Sequence, residues 1–116
     1  MPNRKRTEPK PIRFINKQAK KNFLEDVLPA REIFSTELED VIAYGLGPTI
    51  LNETLPGPTI ELKKNGRPAY RCVYQILPDC ILVVHAFTKT AQGQDKKNMT
   101  TVKQRLKAMD PSQFVD

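Results

Sequence analysis

The apolar residues of this chain change period at Thr59, and that change limits the folds open to it. Before Thr59 they recur at helical spacing; after it they alternate as strand residues do. Ala19, Phe23, Leu24, Val27 and Leu28 fall on one helical face behind Asn16, a natural N-cap. Pro29 ends that helix or begins the next. Phe34, Leu38, Val41 and Ile42 form the stripe of a second helix running to about Tyr44, with Gly45 placed to end it. Its start has two readings. Thr36 with Glu39 makes a capping box and a late start, whereas Ile33 and Phe34 favour one near Ala30. Residues 46–58 hold Gly47, Pro48, Pro56, Gly57 and Pro58 and read as a loop. Thr59–Lys64, Tyr70–Leu77 and Ile81–Lys89 then read as three strands, with Asn65-Gly66 and Pro78-Asp79 at the turns. A last helix from about Gln94 or Asp95 to Met109 carries Met99, Val102, Leu106 and Met109, spaced by 3, 4 and 3.

Pro11–Ile15 adds a short strand ahead of the helices, so the order is β-α-α-β-β-β-α. The expected class is α+β: a small antiparallel sheet with an N-terminal helical hairpin and a C-terminal helix. Helices packed on one sheet face would bury these stripes and leave the other face open for a site. A chain of 116 residues has room for one hydrophobic core. Residues 11–116 are read as that single domain, and the charged, aperiodic residues 1–10 as a mobile basic tail.

The net charge of +6 is distributed unevenly. Residues 1–20 carry seven Lys/Arg against one Glu, residues 21–61 two against eight acids, and residues 62–116 ten against four. The three blocks are therefore +6, −6 and +6. Such a bipolar surface offers its basic part to a polyanion, although solvated lysines explain charge alone equally well. No apolar run reaches the roughly 18 residues a membrane span requires, and no apolar stretch follows the basic N-terminus as in a secretory signal. The expected location is cytoplasmic, without membrane attachment. Cys72 and Cys80 make neither a metal-ligand spacing nor a disulfide framework and are expected to pack.

The chain has no Gly-rich phosphate loop, no zinc-ligand set and a single histidine, so neither a metal nor a cofactor is implied. It does bring cations to neighbouring strands: Lys63, Lys64, Arg67, Arg71 and Lys89, with His85 among them. Attack of a ribose 2′-OH on a phosphodiester needs that proton removed, charge on phosphorus stabilised and the leaving oxygen protonated. Cations do the second job without a metal, and a histidine or a lysine of depressed pKa does the others. Arg71, Lys63, Lys89 and His85 are the candidate catalytic residues. Lys64 and Arg67, with Lys96 and Lys97 on the last helix, are candidate RNA contacts. His85 in an apolar strand reads equally well as a hydrogen-bonded structural imidazole. Arg71 differs, because a cation inside a strand is costly to bury unpaired and should meet a carboxylate or an external anion.

Whether these groups share a face depends on the hairpin. A two-residue loop at Pro78-Asp79 would pair Arg71 with Ala86 and put it on the face opposite His85 and Lys89. Tight hairpins of that kind favour primed turns, and proline's ring forbids the positive φ they need at Pro78. A three-residue loop, Pro78-Asp79-Cys80, pairs Arg71 with Phe87 and places Arg71, His85 and Lys89 together. That register is expected, with Ile81, Val83, His85, Phe87 and Lys89 all pointing one way.

Tyr70-Arg71-Cys72-Val73-Tyr74-Gln75 closely resembles the Tyr-Arg-x-Val-Tyr strand of the RelE/ParE toxin superfamily. His85-Ala86-Phe87-Thr88-Lys89-Thr90, then Gln92 and the helix containing Lys103-Gln104-Arg105-Leu106, is similar to the HigB-type branch typified by phage gp49-like proteins. The likeness spans about residues 11–109 and is strongest over 70–109. It implies a RelE-like fold and a toxin neutralised by a small antitoxin, in this branch usually a helix-turn-helix protein. Many members cut mRNA in the ribosomal decoding site. By position, Arg71 matches the phosphate-contacting arginine, Lys63 or Lys64 the basic positions of the preceding strand, and Lys89 the first of two terminal cations. Thr90 stands where the second cation is expected, and Phe114-Val115-Asp116 offers no match for a C-terminal Tyr or His. Three functions follow: a ribosome-dependent mRNA endonuclease, a non-nucleolytic toxin of the gyrase-poisoning kind, or a silent domain that grips RNA or an antitoxin. Lys89 argues against the second.

Overall fold

The computed structural model describes residues 8–47, 51, 55, 57–89 and 92–116, with 92–95 described by their backbone alone. Strand β1 (Ile12–Phe14) leads into helix α1 (Lys17–Lys21), whose turn widens over Asn22–Asp26. The Asn16 side chain accepts the Ala19 N–H at 2.8 Å, as an N-cap should. A tight 3₁₀ turn, Leu28–Ala30, separates this from helix α2 (Arg31–Thr36), which widens over Glu37–Val41 and tightens over Ile42–Tyr44. Thr36 lies inside that helix in helical conformation, so the early start is the one adopted. Gly45 ends it at φ 81°, where a side chain would be strained. Nearby, a Cβ on Gly47 would collide with the Ile42 side chain.

The widened turns explain which residues are buried. Ala19, Phe23 and Val27 are spaced by four, as are Phe34, Leu38 and Ile42, and all six are buried. In a regular α-helix each step of four drifts by about 40°, so such a series wanders off the face. A wider turn keeps it in line. Leu24 and Leu28, expected on the same face, are left 39% and 56% exposed.

Strands β2 (Thr59–Lys64), β3 (Ala69–Ile76) and β4 (Ile81–Lys89) follow, and helix α3 (Gln92–Lys107) packs against β4. The sheet order is β1-β4-β3-β2. The expected element order and α+β class are therefore present, but the sheet is mixed rather than antiparallel. β1 runs parallel to β4, pairing Ile12 with Ile81 and Phe14 with Val83. A parallel neighbour follows because α1 and α2 lie between β1 and the meander, a crossover long enough to bring the chain back in the same direction. Near the C-terminus Val115 bridges Phe14, with bonds of 2.7 and 3.0 Å, and Asp116 meets Arg13 at 3.0 Å.

The hairpin register differs from expectation in an informative way. The Leu77 N–H bonds the Cys80 carbonyl at 2.9 Å, and Ile76 pairs with Ile81, so the loop is the two-residue Pro78-Asp79. Among the described residues none other than glycine has positive φ, which excludes a primed turn here and excludes the left-handed Cys80 that the three-residue loop needs. Pro78 instead takes the first central position of an unprimed turn, which its ring suits. The register then shifts at Val73/Tyr74, because β4 carries one extra residue, Val84, as a β-bulge. Past the bulge Arg71 pairs with Phe87 after all.

The bulge also reverses the faces of β4. Ile81 and Val83 pair with Ile76 and Tyr74, whereas His85 and Phe87 pair with Val73 and Arg71. The five residues expected to point one way therefore divide between two faces. One face carries Leu62, Cys72 and Tyr74 and packs on α1 and α2; Thr88 Oγ1 on that side donates to the Asp26 carbonyl at 2.8 Å. The other carries Gln75 and His85 and is covered by α3. The expected open face is thus occupied. Val102 of α3 is fully buried, worth about 1.5–3 kcal/mol relative to exposure. Tyr74 is buried with its hydroxyl unpartnered, and that burial raises its pKa. Cys72 and Cys80 are both buried free thiols, and burial raises the pKa of each. Lys10, assigned to the tail, is anchored: its N–H bonds the Ala43 carbonyl at 2.9 Å and its ammonium the Leu77 carbonyl at 2.7 Å. The rest of the tail reading, residues 1–7, lies outside the described residues, as does most of the 46–58 loop.

Candidate functional site

The face beneath α3 gathers cations at one end. Lys63 and Phe87 flank Arg71 as its direct partners on β2 and β4, and Lys89 pairs with Ala69, one step along the same face. Directly opposed Cβ atoms lie about 5 Å apart and diagonal ones about 7–8 Å, so three cations fall within the reach of one phosphodiester. Lys63 is exposed and Lys89 half-buried, but Arg71 is only 7% exposed. Its guanidinium donates one hydrogen bond, to the Tyr70 carbonyl at 2.9 Å. Among the described residues no carboxylate lies within ion-pair distance of it. Its nitrogens are not among the buried polar atoms left without a partner, so the guanidinium keeps contact with solvent. Lys63, Arg71 and Lys89 thus form a basic patch on this face.

The remaining candidates are distributed differently. Lys64 pairs with Tyr70 and so projects from the opposite face, with its ammonium on the Asn65 carbonyl at 3.1 Å. Arg67 is exposed in the β2–β3 connection. Lys96 and Lys97 are exposed on α3, and Lys97 lines a groove with His85. Among the described residues no three His, Cys, Asp or Glu side chains gather to hold a metal ion.

His85 lies on the cation face but is only 6% exposed. Its Nε2 meets Asn98 Oδ1 at 2.9 Å and its Nδ1 meets Arg105 Nη1 at 3.2 Å. Arginine only donates, so Nδ1 is the acceptor and Nε2 carries the proton, donating to Asn98. Burial, reinforced by the Arg105 charge, holds the ring neutral with a pKa lowered to about 4; the Asn98 bond and Asp26 oppose that shift only in part. Both ring nitrogens are engaged by protein partners, and the neutral ring is the favoured form. This arrangement fits the structural reading of His85.

Arg105 is the residue the sequence concealed. Its Nη1 also donates to the Val84 carbonyl at 2.9 Å, and its Nη2 to Asn22 Oδ1 at 2.9 Å; Asn22 Nδ2 in turn donates to Asp26 Oδ2 at 2.6 Å. One guanidinium thus ties α3 to the bulge, to His85 and to α1. The signal was present in the spacing: Arg105 falls three residues after Val102, on the buried face of α3.

No family model, curated protein or solved structure matches the chain. Among the described residues no helix is long and apolar enough to cross a membrane.

Proposed function

We propose that the chain is a toxin of the RelE/HigB kind, a RelE-like fold that grips and cuts mRNA on the ribosome. The observation that carries this reading is Arg71: a buried cation without a described carboxylate partner, set between Lys63 and Lys89 on one face. A phosphodiester suits the positive charge of this patch. Arg71 would donate to the non-bridging oxygens, and Lys63 and Lys89 would neutralise charge as the 2′-oxygen attacks phosphorus. Exposed Lys96, Lys97 and Arg67 would hold the flanking strand, as lysines and arginines hold nucleic-acid backbones. The location would then be the cytoplasm, where ribosomes are. The partner would be an antitoxin of the helix-turn-helix class, as the Tyr70–Gln75 and His85–Thr90 motifs imply.

A second reading, gripping RNA without cutting it, is favoured by one observation: His85 is held at both nitrogens, by Asn98 and Arg105. Primer-extension mapping of cellular mRNA after induced expression separates the two. The nuclease reading expects growth arrest with in-frame breaks that vanish in Arg71→Ala, with circular dichroism showing that variant still folded. Intact transcripts under arrest would leave the gripping reading, and a DNA-damage response with intact mRNA would point to a gyrase poison instead.

A further inference from the structure

Strand β1 accompanies β4 only as far as Val83, and beyond it a groove of about 560 Å³ opens between the widened end of α1 and the first half of α3. His85 and Phe87 line it from the sheet, their rings stacked at 5.1 Å between centroids. One wall carries Asn22 and Asp26, the other Lys97, Asn98 and Thr101. The groove adjoins the cation row directly, because Phe87 is the cross-strand partner of Arg71. A strand of RNA with a phosphate at Arg71 would bring a neighbouring nucleotide to this groove.

The polar groups there would meet the bases differently. Asp26 is exposed, and one of its oxygens accepts from Asn22, which leaves the carboxylate capacity for two further donors. Guanine presents two adjacent donors, N1–H and the exocyclic N2 amino group. Adenine and cytosine set one amino group beside an acceptor nitrogen that a carboxylate would repel, and uracil sets one N–H between two carbonyls. Across the groove the Lys97 ammonium is exposed and suits a phosphate. Arg105, already bonded to Val84, Asn22 and His85, fixes the wall and the floor relative to each other.

We propose that this groove is a guanine-nucleotide subsite, in which Asp26 accepts from the guanine edge and Lys97 contacts the phosphate. Its link to Arg71 rests on the RNA-directed function above, whereas the groove itself can be tested alone. The probes are GMP, guanosine and UMP, titrated to millimolar concentration into the full chain at neutral pH. Proton–nitrogen correlation spectra would report the side-chain amides of Asn22 and Asn98 and the ring of His85. GMP should shift these signals saturably, with UMP weaker by about tenfold or more, the discrimination a bidentate base contact provides. Asp26→Asn should erase most of that preference while keeping an oxygen to accept from Asn22. Lys97→Ala should narrow the gap between GMP and guanosine, and Asp40→Asn on α2 should change nothing. The proposal is overturned if GMP leaves the signals unmoved, if UMP matches it, or if Asp26→Asn binds GMP as the wild type does. An unchanged gap between GMP and guanosine in Lys97→Ala overturns the phosphate contact. Failure here alongside Arg71-dependent mRNA breaks removes the subsite alone; GMP binding alongside intact mRNA removes the nuclease reading and leaves the subsite.

Discussion

Replacing Arg105 by methionine removes a single group on which three parts of the fold converge. The guanidinium donates to the Val84 carbonyl at 2.9 Å, to Asn22 Oδ1 at 2.9 Å and to His85 Nδ1 at 3.2 Å. Methionine fills much of the same volume, so the loss is chiefly of hydrogen bonds. The carbonyl released at the bulge and the released Asn22 amide oxygen each cost about 1–2 kcal/mol when left without partners. The longer bond to His85 adds less, and relief of the cost of burying a charge, which lowers the Arg105 pKa, offsets part of the total. A net loss of about 3 kcal/mol results. For a chain of this length the unfolding entropy is about 0.24 kcal/mol/K, so Tm should fall by about 12 °C. Urea unfolding at constant m, with a thermal scan, measures this. The His85 pKa should also rise, because the Arg105 charge is one of the causes holding it down. A stability loss below about 1 kcal/mol, with the His85 titration unmoved, would refute the role given to Arg105.

His85 supplies a pH test. Its pKa is lowered in the folded protein to about 4 from 6.5, so the unfolded chain binds more protons between these values. Stability from the neutral ring is complete above pH 6.5 and is lost as pH falls towards 4, by on the order of 3 kcal/mol. Chemical unfolding between pH 7 and 5 should show this slope in wild type and a shallower one in His85→Gln; equal slopes would contradict it. At Tyr74 the hydroxyl is buried without a partner, and Tyr74→Phe should raise stability by about 1 kcal/mol in the same assay. A loss of similar size would mean that the hydroxyl is bonded.

Much of the architecture was legible because local signals and packing agree. Asn16 and Gly45 act as the caps their chemistry suggests, and the strand periods over residues 59–89 place β2, β3 and β4 within a residue of their ends. The errors arose where long-range geometry overrode a local rule. Helix periodicity assigned Leu24 and Leu28 to the core, and the widened turns moved them out. Turn chemistry at Pro78 is hostile to a primed turn, yet the chain keeps a two-residue loop and places its irregularity at Val84. Nothing in a run of Ile-Leu-Val-Val marks which valine will bulge, because every residue in it is equally content in a strand. The Arg71–Phe87 pairing was therefore expected for a reason that does not operate. At the site, Arg71 was legible from the cost of a cation within an apolar strand. The quenching of His85 was not, since its partners lie 13 and 20 residues away on α3.

On the function proposed above, Arg71, Lys63 and Lys89 together bind an RNA backbone. The most direct test is the affinity of the purified chain for a labelled single-stranded oligoribonucleotide, measured by fluorescence anisotropy across a salt series. Each phosphate contact contributes about 0.7 to the slope of log affinity against log salt for a single strand. Lys63→Ala, Arg71→Ala and Lys89→Ala should each weaken binding and lower that slope by about this amount, with Arg71→Ala the most damaging. Slopes and affinities that match the wild type in all three variants would contradict the account.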